Sequence, residues 1–240
     1  MNEKTSPLIR VKNLRKEYPA GEDTVIALKD ISFEIMPGEI CCIFGTSGSG
    51  KSTLLNQLAG LESPTSGEVL IGNIPISKLS ENDLAIFRQK YLGFIFQSYN
   101  LMQTMTALEN TALPLVFKGV DKKIREQSAK DILKTVGLSN RLNHYPNQMS
   151  GGQQQRVGIA RAFITKPKIV FADEPTGNLD TKTTVEVMEM IKNFAKKYKQ
   201  TIILVTHEPE LAEYATRVIT LADGEIISDI RKEQVHKYEQ

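Results

Sequence analysis

"GTSGSGKST", residues 45–53, sets three glycines and a run of small hydroxyl residues directly before one lysine. The apolar run "ICCIF" (residues 40–44) precedes it and "LLNQLAG" (residues 54–60) follows. The spacing fits G-x-x-x-x-G-K-[ST] at Gly45, Gly50, Lys51 and Ser52, between an expected buried strand and an expected helix. The glycines let the backbone bend until several N–H groups face one concavity, and the helix adds the positive end of its dipole. The result is an anion cradle of the size of a nucleotide's phosphates. Lys51 is expected to reach the β- and γ-phosphates, and the Ser52 hydroxyl to coordinate Mg²⁺.

Further along, "KIVFADEPTGNLD" (residues 168–180) is a β-branched run that ends in two carboxylates, Asp173 and Glu174. Ligands of open α/β sheets bind at such strand ends. Asp173 is expected to hold Mg²⁺ through water, and Glu174 to act as general base on an attacking water. "TIILVTHEPE" (residues 201–210) brings His207 to the end of another such strand, where a phosphate contact is plausible. "MSGGQQQRVGIARA" (residues 149–162) opens a helix with Ser150, Gly151, Gly152 and Gln153, a second anion-binding nest. One nucleotide need not use both nests. Two copies set head to tail would let each phosphate loop face the other copy's Ser-Gly-Gly.

Continuous apolar strands alternating with helical stripes argue for a mixed α/β core with a parallel sheet flanked by helices. Before it, "LIRVKNL" and "ISFEI" alternate apolar and polar residues, with Ile31, Phe33 and Ile35 on one face. "SGEVLIG" (residues 66–72) reads as a further strand. From residue 80 to 149 the pattern turns largely helical. There Ala129, Ile132, Leu133 and Val136 form one stripe stopped at Gly137. Val185, Met188, Ile191, Phe194 and Ala195 form the inner stripe of a later helix. The expected organisation is a single domain over residues 1–240. Its core takes 1–97 and 160–228, a helical subdomain takes about 98–159, and a polar tail that frays takes 229–240.

The chain has 240 residues, 40% hydrophobic and 24% charged, enough for a sizeable core. Its formal net charge of +2 does not argue for nucleic acid or an anionic membrane surface. The longest apolar runs fall far short of the roughly 20 residues that span a bilayer. "MNEKTSPLIR" has no apolar signal core, so a cytosolic location is expected, with membrane association only through a partner. Adjacent Cys41 and Cys42 read as small core residues.

With both nests in one chain, the sequence resembles the ATP-binding cassette (ABC) ATPases over residues 8–227. The resemblance implies a phosphate-loop NTPase core with an N-terminal antiparallel β subdomain and an inserted helical subdomain. It departs mildly at Met149, where the family's signature usually begins with leucine, and at Thr46, where proline is frequent. It implies an ATP site made of Gly45, Thr46, Ser47, Gly48, Ser49, Gly50, Lys51, Ser52 and Thr53, with Tyr18 stacked on adenine. Gln97 would touch Mg²⁺ and the attacking water and sense a permease. Ser52, Gln97 and Asp173 would be the metal's protein ligands. His207 would contact the γ-phosphate and, with Glu174 and Gln97, serve catalysis. Ser150, Gly151, Gly152, Gln153 and Asp180 would act across a homodimer.

"GFIFQSYNLMQTMTALENTALPL" and "EPTGNLD" are similar to the subfamily serving lipoprotein release, macrolide export and antimicrobial-peptide export. The resemblance implies ATP and Mg²⁺ as cofactors, no nucleic acid, and an integral membrane permease as partner. The chain would then sit peripherally on the cytoplasmic face of the membrane. Within residues 97–115, part of the set Tyr99, Leu101, Met102, Met105, Leu108 and Leu113 would line a groove for a permease helix. The same motifs also suit a regulatory motor that signals across the membrane without transport. A soluble ABC ATPase acting on DNA or ribosomes, or a nucleotide switch without hydrolysis, fits less of the sequence.

Overall fold

A computed structural model of the chain describes residues 6–21 and 23–232. These divide into two compact units, one made of the described residues up to 79 and from 203 onward, the other of residues 80–202.

The first unit holds a four-stranded antiparallel sheet in the order β2-β1-β4-β5. Its strands are β1 (Ile9–Ala20), β2 (Asp23–Ile35), β4 (Ser66–Ile71) and β5 (Ile74–Pro75). Simple alternation along β1 does not survive. Ile9 and Val11 face inward, but a bulge at Asn13 (φ 47°) shifts the register and returns Leu14 to the core. Asparagine tolerates this left-handed turn, and Ser32 Oγ accepts its N–H at 2.8 Å. Ile31, Phe33 and Ile35 are all buried, as their spacing predicts. Each such side chain contributes roughly 1.5–3 kcal/mol when fully buried.

The same unit carries β3 (Ile40–Phe44), all but the first two residues of β8 (Thr201–Thr206), β9 (Arg217–Ala222) and β10 (Glu225–Arg231), side by side in the order β10-β9-β3-β8. The chain enters β8 from the second unit, which ends at Ile202. Strand β3 runs parallel to β9, and β10 antiparallel to it, so the sheet is mixed rather than purely parallel. Cys41 and Cys42 are both fully buried in β3, as small core residues. Burial lifts the Cys41 thiol far above its usual range, so it stays neutral.

The expected tail from residue 229 begins too early, because Asp229–Arg231 belong to β10. The cause is a buried cation. Arg217, 4% exposed, meets the Asp229 carboxylate with two bonds of 2.7 and 2.6 Å and reaches Glu39 at 3.5 Å. A guanidinium so buried needs carboxylate partners, and β10 brings one. Residues 233–240 of that tail lie outside the described residues.

The second unit contains α2 (Glu81–Tyr91), β6 (Leu92–Phe96), α3 (Ala107–Phe117), α4 (Lys122–Thr135), α5 (Gly151–Phe163), β7 (Ile169–Asp173) and α6 (Thr181–Tyr198). Strands β6 and β7 pair in parallel from Leu92↔Ile169 to Phe96↔Asp173. Helix α5 runs through the expected subdomain boundary at residues 159/160 without a break. The helices start on side-chain caps. Ser80 accepts from Asp83 N–H, Thr106 forms a capping box with Glu109, and Asp121 accepts from Lys123 N–H.

On α4 the stripe Ala129, Ile132 and Leu133 is buried, with Val136 just past its end, and Gly137 takes φ 78°. On α6, Met188, Ile191, Phe194 and Ala195 are buried, but Val185 is half exposed and Val187 takes its place inside. At about 100° per residue Val185 lies well to one side of the stripe that Val187, Met188, Ile191, Phe194 and Ala195 form. Phe163 of α5 stacks on Phe194 with ring centroids 4.8 Å apart, and Phe94 of β6 stacks on Phe171 of β7 at 5.5 Å.

Candidate functional site

In the first unit β3 delivers the chain into residues 45–50, and α1 (Lys51–Leu58) leaves them. Two of the glycines are required by close packing. A Cβ on Gly45 would lie 2.3 Å from Leu221 O and 2.7 Å from Ser49 Oγ. One on Gly50, which has φ 100°, would lie 2.6 Å from Ala27 O. Gly48 by contrast has φ 81° and open space before it. The loop is thus pressed onto backbone behind and open in front. Gly50 caps α1 without any side-chain bond to the helix N–H groups, and the first turn holds no acidic residue. These are the conditions for anion binding at a helix start.

Lys51 is buried, and its Nζ donates to Thr46 O at 2.7 Å, so the ammonium sits in the curl of its own loop. Ser49 Oγ is buried with no hydrogen-bond partner among the described residues. Thr46, Ser47, Gly48 and Ser52 are exposed, and Thr53 half-buried.

Tyr18 stands on β1 with its hydroxyl donating to Glu62 Oε2 at 2.5 Å. Glu62 also accepts from Asn56 Nδ2 at 2.7 Å and lies 3.6 Å from Lys16 Nζ. Burial opposes ionisation of Glu62, but the bonds from Tyr18 and Asn56 and the Lys16 charge outweigh it and hold the carboxyl below its usual range. Burial, with Glu62 beside it, pushes the Tyr18 phenol up. Lys16 Nζ lies 5.1 Å from the centre of the Tyr18 ring. This bracing of Tyr18 was missed by sequence reasoning, because Glu62 and Asn56 belong to no motif. His207 follows the last residue of β8 and is exposed.

In the second unit the parallel ladder ends at Phe96↔Asp173. Gln97 and Glu174 are therefore the next residues of two neighbouring strands. Glu174 adopts φ 43°, a left-handed conformation unusual for a non-glycine residue. The loop after it touches Gln97 twice. Asn178 Nδ2 donates to Gln97 O at 3.0 Å, and a Cβ on Gly177 would lie 2.6 Å from Gln97 Nε2. Gln97, Asp173 and Glu174 are thus brought to one end of the β6–β7 pair.

Ser150 caps α5. Its Oγ accepts from Gln153 N–H at 3.3 Å, and Gln153 Oε1 accepts from Ser150 N–H at 3.1 Å. Asp180 caps α6, accepting from Thr183 N–H at 3.0 Å and Thr183 Oγ1–H at 2.7 Å. Those bonds hold the Asp180 carboxyl below its usual range. The two helix starts touch, since a Cβ on Gly152 would lie 2.7 Å from Thr183 Cγ2. A Cβ on Gly151 would lie 2.7 Å from Tyr99 Oη. Small residues here keep the helix start low between its neighbours.

In residues 97–115, Met102 is half exposed and Leu101 is buried, with Tyr99, Met105, Leu108 and Leu113 between. Fully buried Asn110 of α3 staples this segment. It accepts from Met102 N–H at 2.8 Å and donates to Met105 O at 2.9 Å, with longer bonds to Met102 O and Thr106 O. Arg161 of α5 donates to Tyr99 O and Asn100 O at 2.8 and 2.6 Å. Neither contact was legible in the sequence.

In the second unit the Asp173 carboxylate and the Gln97 amide oxygen, at one end of the β6–β7 pair, are oxygen ligands of the kind a small hard dication takes. Among the described residues no three His, Cys, Asp or Glu side chains gather into a cage. A magnesium ion fits this sparse set, because it characteristically keeps waters and phosphate oxygens as its other ligands.

Comparison with known proteins follows the same lines. The family model described as ABC transporter matches residues 28–177. An uncharacterized ABC transporter ATP-binding protein of Methanocaldococcus jannaschii, MJ1508, is 54% identical over 94% of this chain and 100% of its own length. The macrolide export ATP-binding/permease protein MacB of Chlorobium luteolum is 45% identical over 96% of this chain. The chain spans 34% of that longer protein. A solved dimeric structure of the ATP-binding cassette MJ0796, in a post-hydrolysis state bound to ADP and Pi, superposes with a TM-score of 0.87. It is 42% identical and matches over 93% of this chain and 98% of its own.

Proposed function

From the premise that the chain belongs to the ABC transporter family, as an ATP-binding subunit, we propose that it hydrolyses ATP to drive a separate membrane permease. Two copies close head to tail on two nucleotides, and hydrolysis reopens them. Residues 45–53 receive the phosphates on backbone N–H groups and the Lys51 charge, and Tyr18, braced by Glu62, offers its ring to the adenine. Ser52, Asp173 and Gln97 would hold magnesium, which when bound neutralises phosphate charge. Glu174 takes the proton of the attacking water, while Gln97 and His207 orient water and γ-phosphate. Ser150, Gly151, Gly152, Gln153 and Asp180 serve the partner's nucleotide.

The observation that carries the transport reading is the hydrogen bond from Asn178, in the loop after Glu174, to the Gln97 carbonyl, with Gly177 packed close to the Gln97 amide. Gln97 opens the segment whose exposed Met102 and half-buried Tyr99 and Met105 suit a permease helix. A shift of that helix would then reach the base. The likeness to macrolide export proteins supports export as the direction. Among the described residues no helix is long and apolar enough to cross a membrane, which accords with a subunit held at the cytoplasmic face by its permease.

Turnover and nucleotide binding of two variants test the reading. Lys51→Ala should lose both ATP binding and hydrolysis. Glu174→Gln should bind ATP while turnover falls by about 10²–10⁴-fold. Near wild-type turnover in Glu174→Gln contradicts the assignment of the base.

A further inference from the structure

Gln155 lies on α5, two residues beyond Gln153, and is completely buried. Its Nε2 donates to the carbonyl oxygen of Pro175, the residue after Glu174. Only the amide's nitrogen end can meet a carbonyl oxygen, so the orientation of the group follows from chemistry. Its Oε1 is then buried with no hydrogen-bond partner among the described residues. A buried amide with one end unsatisfied is less stabilising than an apolar side chain of the same volume. Packing alone gives no reason for a glutamine here.

The position of its one bond does. Glu174 holds a sparsely populated left-handed φ of 43°. The ring of Pro175 fixes its own φ, so anchoring its carbonyl leaves the Glu174 backbone little freedom. On its far side the same loop is bonded to Gln97 through Asn178. Ser150 and Gln155 stand about one and a half turns apart on one rigid helix.

We infer that Gln155 is a positioning residue for hydrolysis, tying the placement of the Ser-Gly-Gly start of α5 to Glu174 of the same chain. The helix that meets the partner's nucleotide thereby sets the geometry of this chain's own base. The inference rests on the proposed function, with Glu174 as base and Ser150–Gly151–Gly152 as the contact across the dimer.

Gln155→Met removes the donor and keeps the volume. In the full chain, kcat should fall about tenfold while KM for ATP stays within about twofold, because orientation and not binding is lost. The melting temperature should hold or rise, because the unsatisfied oxygen is gone. Added to Glu174→Gln, the same change should leave residual turnover unaltered, because both act through one group. An unchanged kcat in Gln155→Met overturns the inference. So does a lowered melting temperature together with an equal rate loss in the Glu174→Gln background, which marks a structural role. Should Gln155→Met not fold, Gln155→Leu is judged by the same criteria. If Glu174→Gln alone turns over normally, the base assignment fails and the inference with it. If that variant is slow and Gln155→Met is fast, only the inference fails.

Discussion

The loops at residues 45–50 and 174–179 each follow a buried strand, yet they are held by opposite means. The first is held by what its residues lack. Gly45 and Gly50 press directly on the carbonyls of Leu221 and Ala27, with no side chain between. The second is held by what distant residues supply, Gln97 lying 81 positions from Asn178 and Gln155 lying 20 from Pro175. A loop shaped by its own glycines is rigid by sterics and breaks abruptly. A loop held by hydrogen bonds to remote residues is adjustable and loosens by degrees. Rigidity suits a phosphate cradle that must be ready before its ligand arrives. Adjustability suits the role proposed for Glu174, a base whose geometry would answer to a permease and a partner subunit.

Breaking the first loop should have the largest effect. Gly45→Ala drives a methyl group into backbone that has nowhere to go, so stability should fall by about 3 kcal/mol, visible as a lower melting temperature. Nucleotide binding should be lost with it. The matched change in the second loop, Gly177→Ala, meets only the movable end of Gln97. Its melting temperature should stay within a degree or two, while turnover falls about tenfold as the Gln97 amide is displaced. Equal losses of stability in the two variants would erase the contrast between the loops.

The smallest effect concerns neither loop but sharpens what a remote contact contributes. Asp229→Asn leaves Arg217 with weaker partners and should cost about 1 kcal/mol at neutral pH, since the carboxylate is partly exposed. The hydrogen bonds from Arg217 hold the Asp229 carboxyl below its usual range. The pair's contribution is therefore complete above the ordinary aspartate pKa of about 3.9. It is lost as the pH falls through the lower folded value. In Asp229→Asn, urea melts at successive pH values should lose that part of the acid dependence.

This contrast also explains which features were legible in the sequence. The phosphate loop, the carboxylate pair and the Ser-Gly-Gly helix start are local patterns, and the strands and helices that present them stand where periodicity puts them. Val185 and Val187 are both apolar, and the sequence does not say which of them ends the inner stripe of α6. In the sequence Asp229 reads as the start of a polar tail, and only the fold shows Arg217 buried beside it. The bracing of Tyr18 by Glu62, the staple of Asn110 and the grip of Gln155 depend on residues that only folding brings together. Glutamine in a run of three gives no sign of which one turns inward.

The central claim, that ATP closes two copies and that Glu174 reopens them through hydrolysis, is tested most directly by sedimentation of Glu174→Gln with and without Mg·ATP. The account predicts a monomer without nucleotide and a dimer with it, held because hydrolysis no longer ends the closed state. A chain that stays monomeric at saturating ATP, or that is equally dimeric without it, would contradict the account.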